Sequence, residues 1–285
     1  MQDSALYMKR FFSWRFLKAV IAAWIDDRCL SMGAAIAYYA AFSLAPMLIL
    51  VIAIAAVVFG REAAQGAIVG QLGTLIGAEG AAALEAMIAN ASRSGSGWLA
   101  NLIGVGALLL AATGAVGEIQ ASLNVIWKAA PSKEGTVRAF LRRKLLSYAF
   151  VVVMGFLLMV SLVVSAALAA AGDHLAAAIG GFDIILKIVN FIVSLAVVTA
   201  IFATVYKILP ARPVAWRDVW LGAAVAALLF TFGKILIGAY IGSSAIASTY
   251  GAAAALVIIL LWVYYTSQIL LFGAELAQQQ RADAR

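Results

Sequence analysis

Residues 250–277 read YGAAAALVIILLWVYYTSQILLFGAELA, and the first charge in that stretch is Glu275. A run of this length without charge predicts a transmembrane helix, for which about 20 apolar residues suffice. Apolar side chains occur all round it rather than on one stripe, as expected of a helix surrounded by lipid or other helices. Working outward, five further long apolar stretches stand at 30–60, 94–117, 145–172, 184–206 and 219–240. The sequence therefore predicts an all-α polytopic membrane helix bundle with six transmembrane helices plus an N-terminal interfacial amphipathic helix. The expected partition is a cytoplasmic amphipathic helix over 1–28, the transmembrane domain over 29–277 and a cytoplasmic tail over 278–285. Within the membrane domain, 61–97 is expected to form an extracytoplasmic capping loop.

Composition agrees. Of 285 residues, 65% are hydrophobic and 12% charged, far from the balance of a soluble domain. The formal charge of +7 is read as topological, without a nucleic-acid partner, because basic residues collect on cytoplasmic loops. One cysteine, Cys29, excludes an intramolecular disulfide. One histidine, His174, argues against a histidine-based metal site. No metal and no cofactor is expected. Residues 1–28 hold no short apolar core ending in a cleavage site, so the first span is expected to act as an uncleaved insertion signal.

Charge sets the orientation. Five basic residues precede the first span, six lie at 128–144, three follow the fourth span and two end the chain, which places 16 on one side. Only Arg61 and Arg93 fall on the other, while Lys187 and Lys234 lie in helices. The positive-inside rule then puts both termini in the cytoplasm.

Residues 5–25 mix Phe, Trp and Leu with Lys and Arg, the pattern of an interfacial amphipathic helix. Residues 62–90 are rich in Ala, Gly, Leu and Ile and are expected to be helical, packing back on the membrane domain. SRSGSG at 92–97 is a flexible hinge. Small residues recur at four-residue spacing: Gly33, Ala37, Ala41; Gly222, Ala226; Gly238, Gly242. They read as helix-packing positions, and the last pair permits a homo-oligomer. Pro46 in mid-span predicts a kink.

Ionisable groups inside spans are functional candidates by default. Lys234 lies 15 residues past Val219, about 22 Å into a core of about 30 Å, within snorkelling reach of the outer interface. Glu118 and Glu275 fall at the inner end of their helices. Neither is expected to pair with Lys234; Lys128, Lys207, Arg212 and Arg217 are the expected partners. Glu118, Gln120 and Asn124 make a polar strip that either lines an inward-facing cavity or clamps helices together. The candidate cavity or coupling residues are thus Glu118, Asn124, Lys234 and Glu275. The candidate cytoplasmic anion or lipid contacts are Arg142, Arg143, Arg212 and Arg217, which fits anionic lipid headgroups as a partner beside the bilayer itself.

Several of these stretches resemble one family. GEIQASLNVIW (117–127) carries a Leu-Asn-x-Ile-Trp signature, and AYYAAFSLAPMLIL (37–50) has the aromatic, Ser-Leu, Pro-Met order. YKILPARPVAWRDVWLGAAVAALLFTFGK (206–234) and the 250–277 stretch complete the match. The chain resembles the YihY/BrkB family of bacterial inner-membrane proteins. That resemblance implies a multi-pass protein of about six helices. Family members have been linked to serum resistance, some have been called transporters, and an old ribonuclease label attaches to the family.

The residues give that label no support. A metal-dependent nuclease needs clustered carboxylates or histidines, whereas the 13 acids here are scattered. No nucleotide-binding loop, zinc pattern or Ser-His-Asp set stands in the chain. The expected function is therefore non-enzymatic: a transporter or permeation protein without nucleotide hydrolysis. The alternative is a structural or envelope protein that binds lipid or a partner.

Overall fold

The computed structural model describes residues 14–91, 114–129, 183–243 and 252–283. The expected third span, most of the second, residues 5–13, the 92–97 hinge, Arg142, Arg143 and His174 lie outside the described residues. Those described form helices α1 (Trp14–Asp26), α2 (Cys29–Phe59), α3 (Arg61–Ala91), α4 (Gly114–Ile126), α5 (Asp183–Ile208), α6 (Trp216–Ser243) and α7 (Ala252–Asp283). No strand occurs among them.

Two helices carry a stretch long and apolar enough to cross a membrane: Phe191–Ile208 in α5 and Val257–Ala282 in α7. A third candidate is the bent pair Cys29–Leu44 and Pro46–Val57 of α2, whose axes meet at 51°. The bend falls at Pro46, which has no N–H to donate and whose ring presses on the carbonyl of the preceding turn. Among the described residues the architecture is thus all-helical with two or three membrane-capable helices, against six spans expected.

Helix α1 docks through Phe16 and Val20, one turn apart, onto Leu276, with Leu221, Val225 and Phe272 around them. Gly60 separates α2 from α3 with φ 80° and ψ 156°, a region essentially reserved for glycine, and its N–H closes on the Ala56 carbonyl at 3.0 Å. Ala64 and Ile88, near opposite ends of α3, both join Leu48, Ile52 and Ala55 of α2 and Ile259 and Trp262 of α7. A Cβ on Gly73 would lie 3.3 Å from that of Ala81. Eight residues of straight helix span about 12 Å, so α3 doubles back between them and lies along its neighbours.

Helix α7 is the common partner, touching α1, α2, α3, α4 and α6. It crosses α6 backbone against backbone. A Cβ added at Gly222 would lie 2.8 Å from the Ala277 Cβ, and one added at Gly273 would lie 2.8 Å from the Gly222 carbonyl oxygen. Only glycine at both positions allows that approach, the use of small residues expected where helices pack in lipid. Tyr206 of α5, fully buried, donates its hydroxyl to the Leu270 carbonyl at 2.8 Å beside the same crossing. Higher on α6 and α7, Phe230 stacks between Phe202 and Trp262 at centroid distances of 6.2 and 5.6 Å.

This packing makes a prediction about two glycine classes. Gly273→Val must push α6 and α7 apart and should cost at least about 2 kcal/mol, read as a lowered Tm of the purified protein. Gly66→Ala and Gly70→Ala, where a Cβ meets nothing within 4 Å, should be neutral or gain up to about 1 kcal/mol. A Gly273→Val protein melting with the wild type would contradict the crossing.

Candidate functional site

Helix α4 ends in Leu123-Asn124-Val125-Ile126-Trp127. Leu123, Ile126 and Trp127 fall within one turn and plunge into the main core with Phe202, Tyr206, Leu209 and Val219. The polar residues of the strip reach the turn between α5 and α6. Gln120 Nε2 donates to the Leu209 carbonyl at 2.8 Å, and Asn124 Oδ1 accepts the Ala211 N–H at 2.8 Å. Arg212 completes the set by donating to the Trp127 carbonyl at 3.3 Å. Three hydrogen bonds therefore tie the end of α4 to the segment that holds Pro210 and Pro213.

The helix stops at Lys128, whose φ of 48° is left-handed. Arg28, in the elbow between α1 and α2, has φ 58°. Each such non-glycine conformation costs about 1 kcal/mol. Between these two turns, Lys128 Nζ donates to both carboxylate oxygens of Asp27 at 2.9 and 3.0 Å. Those hydrogen bonds raise the Lys128 pKa above its ordinary value, against a smaller opposing effect of burial. The raised value means Lys128 keeps its charge through neutral pH and loses it as the pH rises through the alkaline range.

Glu275 lies behind this pair. It is 1% exposed on the apolar helix α7. Its carboxyl meets that of Asp27, and the Cys29 thiol donates to Glu275 Oε1 at 3.9 Å. Gln268, two turns earlier on the same face of α7, donates to the Cys29 carbonyl at 3.4 Å. Its amide occupies the space above Gly33, where any Cβ would collide with it. The result is a polar seam between α2 and α7, Cys29 opposite Glu275 and Gly33 opposite Gln268, in antiparallel register. Beside it stand buried polar atoms with no hydrogen-bond partner among the described residues: Gln268 Oε1 and Thr266 Oγ1 on α7, and Gln120 Oε1, Ser122 Oγ and Trp127 Nε1 at α4.

The remaining candidates are dispersed. Glu118 is half-buried on α4, and Lys234 is exposed on α6. Gly233 abuts Tyr265, ten residues or about 15 Å of helix from Glu275, so Lys234 stands well away from that carboxyl. The expected cationic partners of Glu275 are mostly engaged elsewhere. Lys207 donates to the Val214 carbonyl, Arg212 to Trp127, and Arg217 pairs with Asp218 at 3.4 Å. Only Lys128 comes near, and Asp27 stands between. Asp27 and Cys29 went unread in the sequence as parts of a site. The available signal was Asp26-Asp27-Arg28 set directly before a long apolar helix, charge at the very edge of a span.

The site separates packing from polar contacts in a measurable way. Trp127→Ala removes a fully buried indole and should cost about 3–5 kcal/mol. Asn124→Ala frees one N–H on an exposed turn and should cost about 1 kcal/mol or less. Chemical or thermal unfolding of both variants in the same detergent checks that order; equal effects would mean the Asn124 bond, rather than the Trp127 side chain, fastens α4.

Several curated proteins are similar to this chain. A UPF0761 membrane protein of Stenotrophomonas maltophilia is 28% identical over 98% of the chain and 62% of its own length. One from Azotobacter vinelandii is 29% identical over 95% of the chain and 64% of its own length. One from Idiomarina loihiensis is 31% identical over 61% of the chain and 59% of its own length. The chain thus spans about three-fifths of the length of the relatives it matches. No solved structure matches it. The family described as "Virulence factor BrkB" matches residues 20–285, a span that runs from within α1 past the end of α7 and takes in the LNVIW end, the glycine crossing and Glu275. The chain belongs to the BrkB family.

Proposed function

We propose that this protein is a multi-pass inner-membrane transporter or permeation protein for a small polar solute, working without nucleotide hydrolysis, with Glu275 carrying a coupling proton. The observation that carries this reading is Glu275 itself: a carboxyl 1% exposed on a helix apolar enough to cross a membrane. Such groups are costly and mark ion or substrate pathways. Its neighbours support proton exchange. The Cys29 thiol donates to its Oε1, and Asp27, which holds Lys128, lies near it. The buried polar atoms without a partner at 120, 122, 127, 266 and 268 are groups of the kind that call for water or solute. The kink at Pro46 gives α2, which forms the opposite wall of the seam, a place to bend.

A second reading, a structural protein that binds lipid or a partner, is favoured by the exposed aromatic and basic side chains on α1 and at the start of α6. The two are told apart with the full chain in sealed liposomes. A panel of small anions, cations and neutral solutes is offered under an imposed pH gradient, with internal pH followed by a trapped dye. The transport reading expects protein-dependent uptake of at least one solute together with proton movement. Glu275→Gln should reduce the response to the pH gradient about tenfold or more while Tm shifts by only a few degrees. Absence of flux across the panel would leave the structural reading standing, and full gradient-driven uptake by Glu275→Gln would remove the proton role of that residue.

A further inference from the structure

Helix α1 has two apolar faces, and the protein covers one. At about 100° per residue, the apolar side chains of α1 sweep about 180°, from Phe16 through Val20, Leu17 and Ile21 to Trp14 and Ile25. Phe16 and Val20 are buried against α6 and α7. Leu17, Ile21, Ile25 and Trp14 are exposed, from 39% at Leu17 to 67% at Trp14. The uncovered ridge therefore makes up the second half of the arc. Lys18 borders it and lies 5.3 Å from the Trp14 ring centroid, and Arg15, also exposed, follows.

The neighbouring end of α6 continues the same chemistry. Phe16 and Val20 share a cluster with Leu221 and Val225, so the opening turns of α6 reach the apolar cluster into which α1 docks. Arg217 is one turn before Leu221 on that stripe. It reaches Asp218 at 3.4 Å yet keeps its side chain 89% exposed. Trp216 and Trp220 are half-exposed there with ring centroids 6.2 Å apart. Arg15, Lys18 and Trp14 thus border the ridge on α1, and a further exposed cation and two exposed indoles stand at the start of α6.

An apolar ridge needs an apolar partner, the cations need anions, and tryptophan prefers the boundary where one end is apolar and the other wet. A second copy of this chain supplies the first and fails the second, because a two-fold contact sets Arg15, Lys18 and Arg217 against themselves. We propose that this face of α1, with the start of α6, is a binding surface for anionic glycerophospholipid. Acyl chains cover Leu17, Ile21 and Ile25, and the phosphate is held by Arg15, Lys18 and Arg217.

The test uses the full chain in nanodiscs of equimolar phosphatidylglycerol and phosphatidylcholine, with co-purifying lipid counted by native mass spectrometry. The wild type should retain phosphatidylglycerol in clear excess. Each basic residue near an anionic surface is worth about fivefold, so the combined variant Arg15→Glu, Lys18→Glu, Arg217→Glu should lower that preference at least about tenfold. Independently of that variant, brominated phosphatidylglycerol should quench Trp14 more than brominated phosphatidylcholine, measured as the wild-type signal minus that of Trp14→Phe. Equal retention of the two lipids by the wild type would overturn the proposal, as would a preference unchanged in the charge variant or a Trp14 that neither lipid quenches. Quantitative Ile21→Cys crosslinking between copies would instead assign the ridge to a second chain.

Discussion

Helices α6 and α7 meet backbone to backbone because Gly222 and Gly273 place no Cβ between them. In hydrocarbon, apolar side chains gain little by leaving lipid for one another, so close van der Waals approach decides which helices associate. This approach fixes the position of α7, and α7 in turn sets the geometry of everything described around the site. It presents Glu275 and Gln268 to α2, Leu276 to α1, Ile259 and Trp262 to α3, and the Leu270 carbonyl to Tyr206. A displacement of α7 by the width of one methyl group would be felt at each of these contacts together, because packed interiors transmit strain rather than absorb it.

Two polar systems meet at this end of the bundle, and they differ in kind. The bonds that join Gln120, Asn124 and the Trp127 carbonyl to Leu209, Ala211 and Arg212 of the α5–α6 turn hold α4 in place. The seam around Glu275 crowds two carboxyls, a thiol and an amide into a space served by one ammonium. A bundle stabilised only by packing would be expected to replace such a cluster with well-fitted apolar side chains, at no loss of stability. Its presence on an otherwise apolar helix is what separates this end of the molecule from ordinary helix packing.

Much of the fold was legible because its signals are local. Length and the scarcity of charge reveal the apolar helices at 183–208 and 252–283, and Pro46 announces its own bend. The helical character of 61–91 follows from composition. What a single sequence hid are the pairings between distant residues. Gly222 reads as a packing position, but nothing in its neighbourhood names Gly273 as its partner. Depth along a helix placed Glu118 and Glu275 at one level. It said nothing about azimuth, and azimuth decides that Glu275 faces Asp27 and Cys29 while Glu118 stands elsewhere on α4. Depth likewise kept Lys234 apart from Glu275, and distance along α7 agrees. The cations nominated for Glu275 were chosen by side of the membrane alone, which cannot reveal that Lys207 and Arg212 are held by backbone carbonyls.

The docking of α1 has a consequence for how the molecule is built. Its inner face rests on Leu221, Val225, Phe272 and Leu276, and the elbow that follows it meets Glu275 across 246 residues of chain. At about 5–20 residues per second, synthesis needs about 12–50 s to supply those partners after α1 has left the ribosome. Throughout that interval both apolar faces of α1 are uncovered. A helix that can rest on the bilayer surface with Trp14 and Ile21 in the interface is protected from aggregation while it waits. It can then roll its Phe16 face onto α7 as that helix inserts, so a late step of assembly captures an element made early.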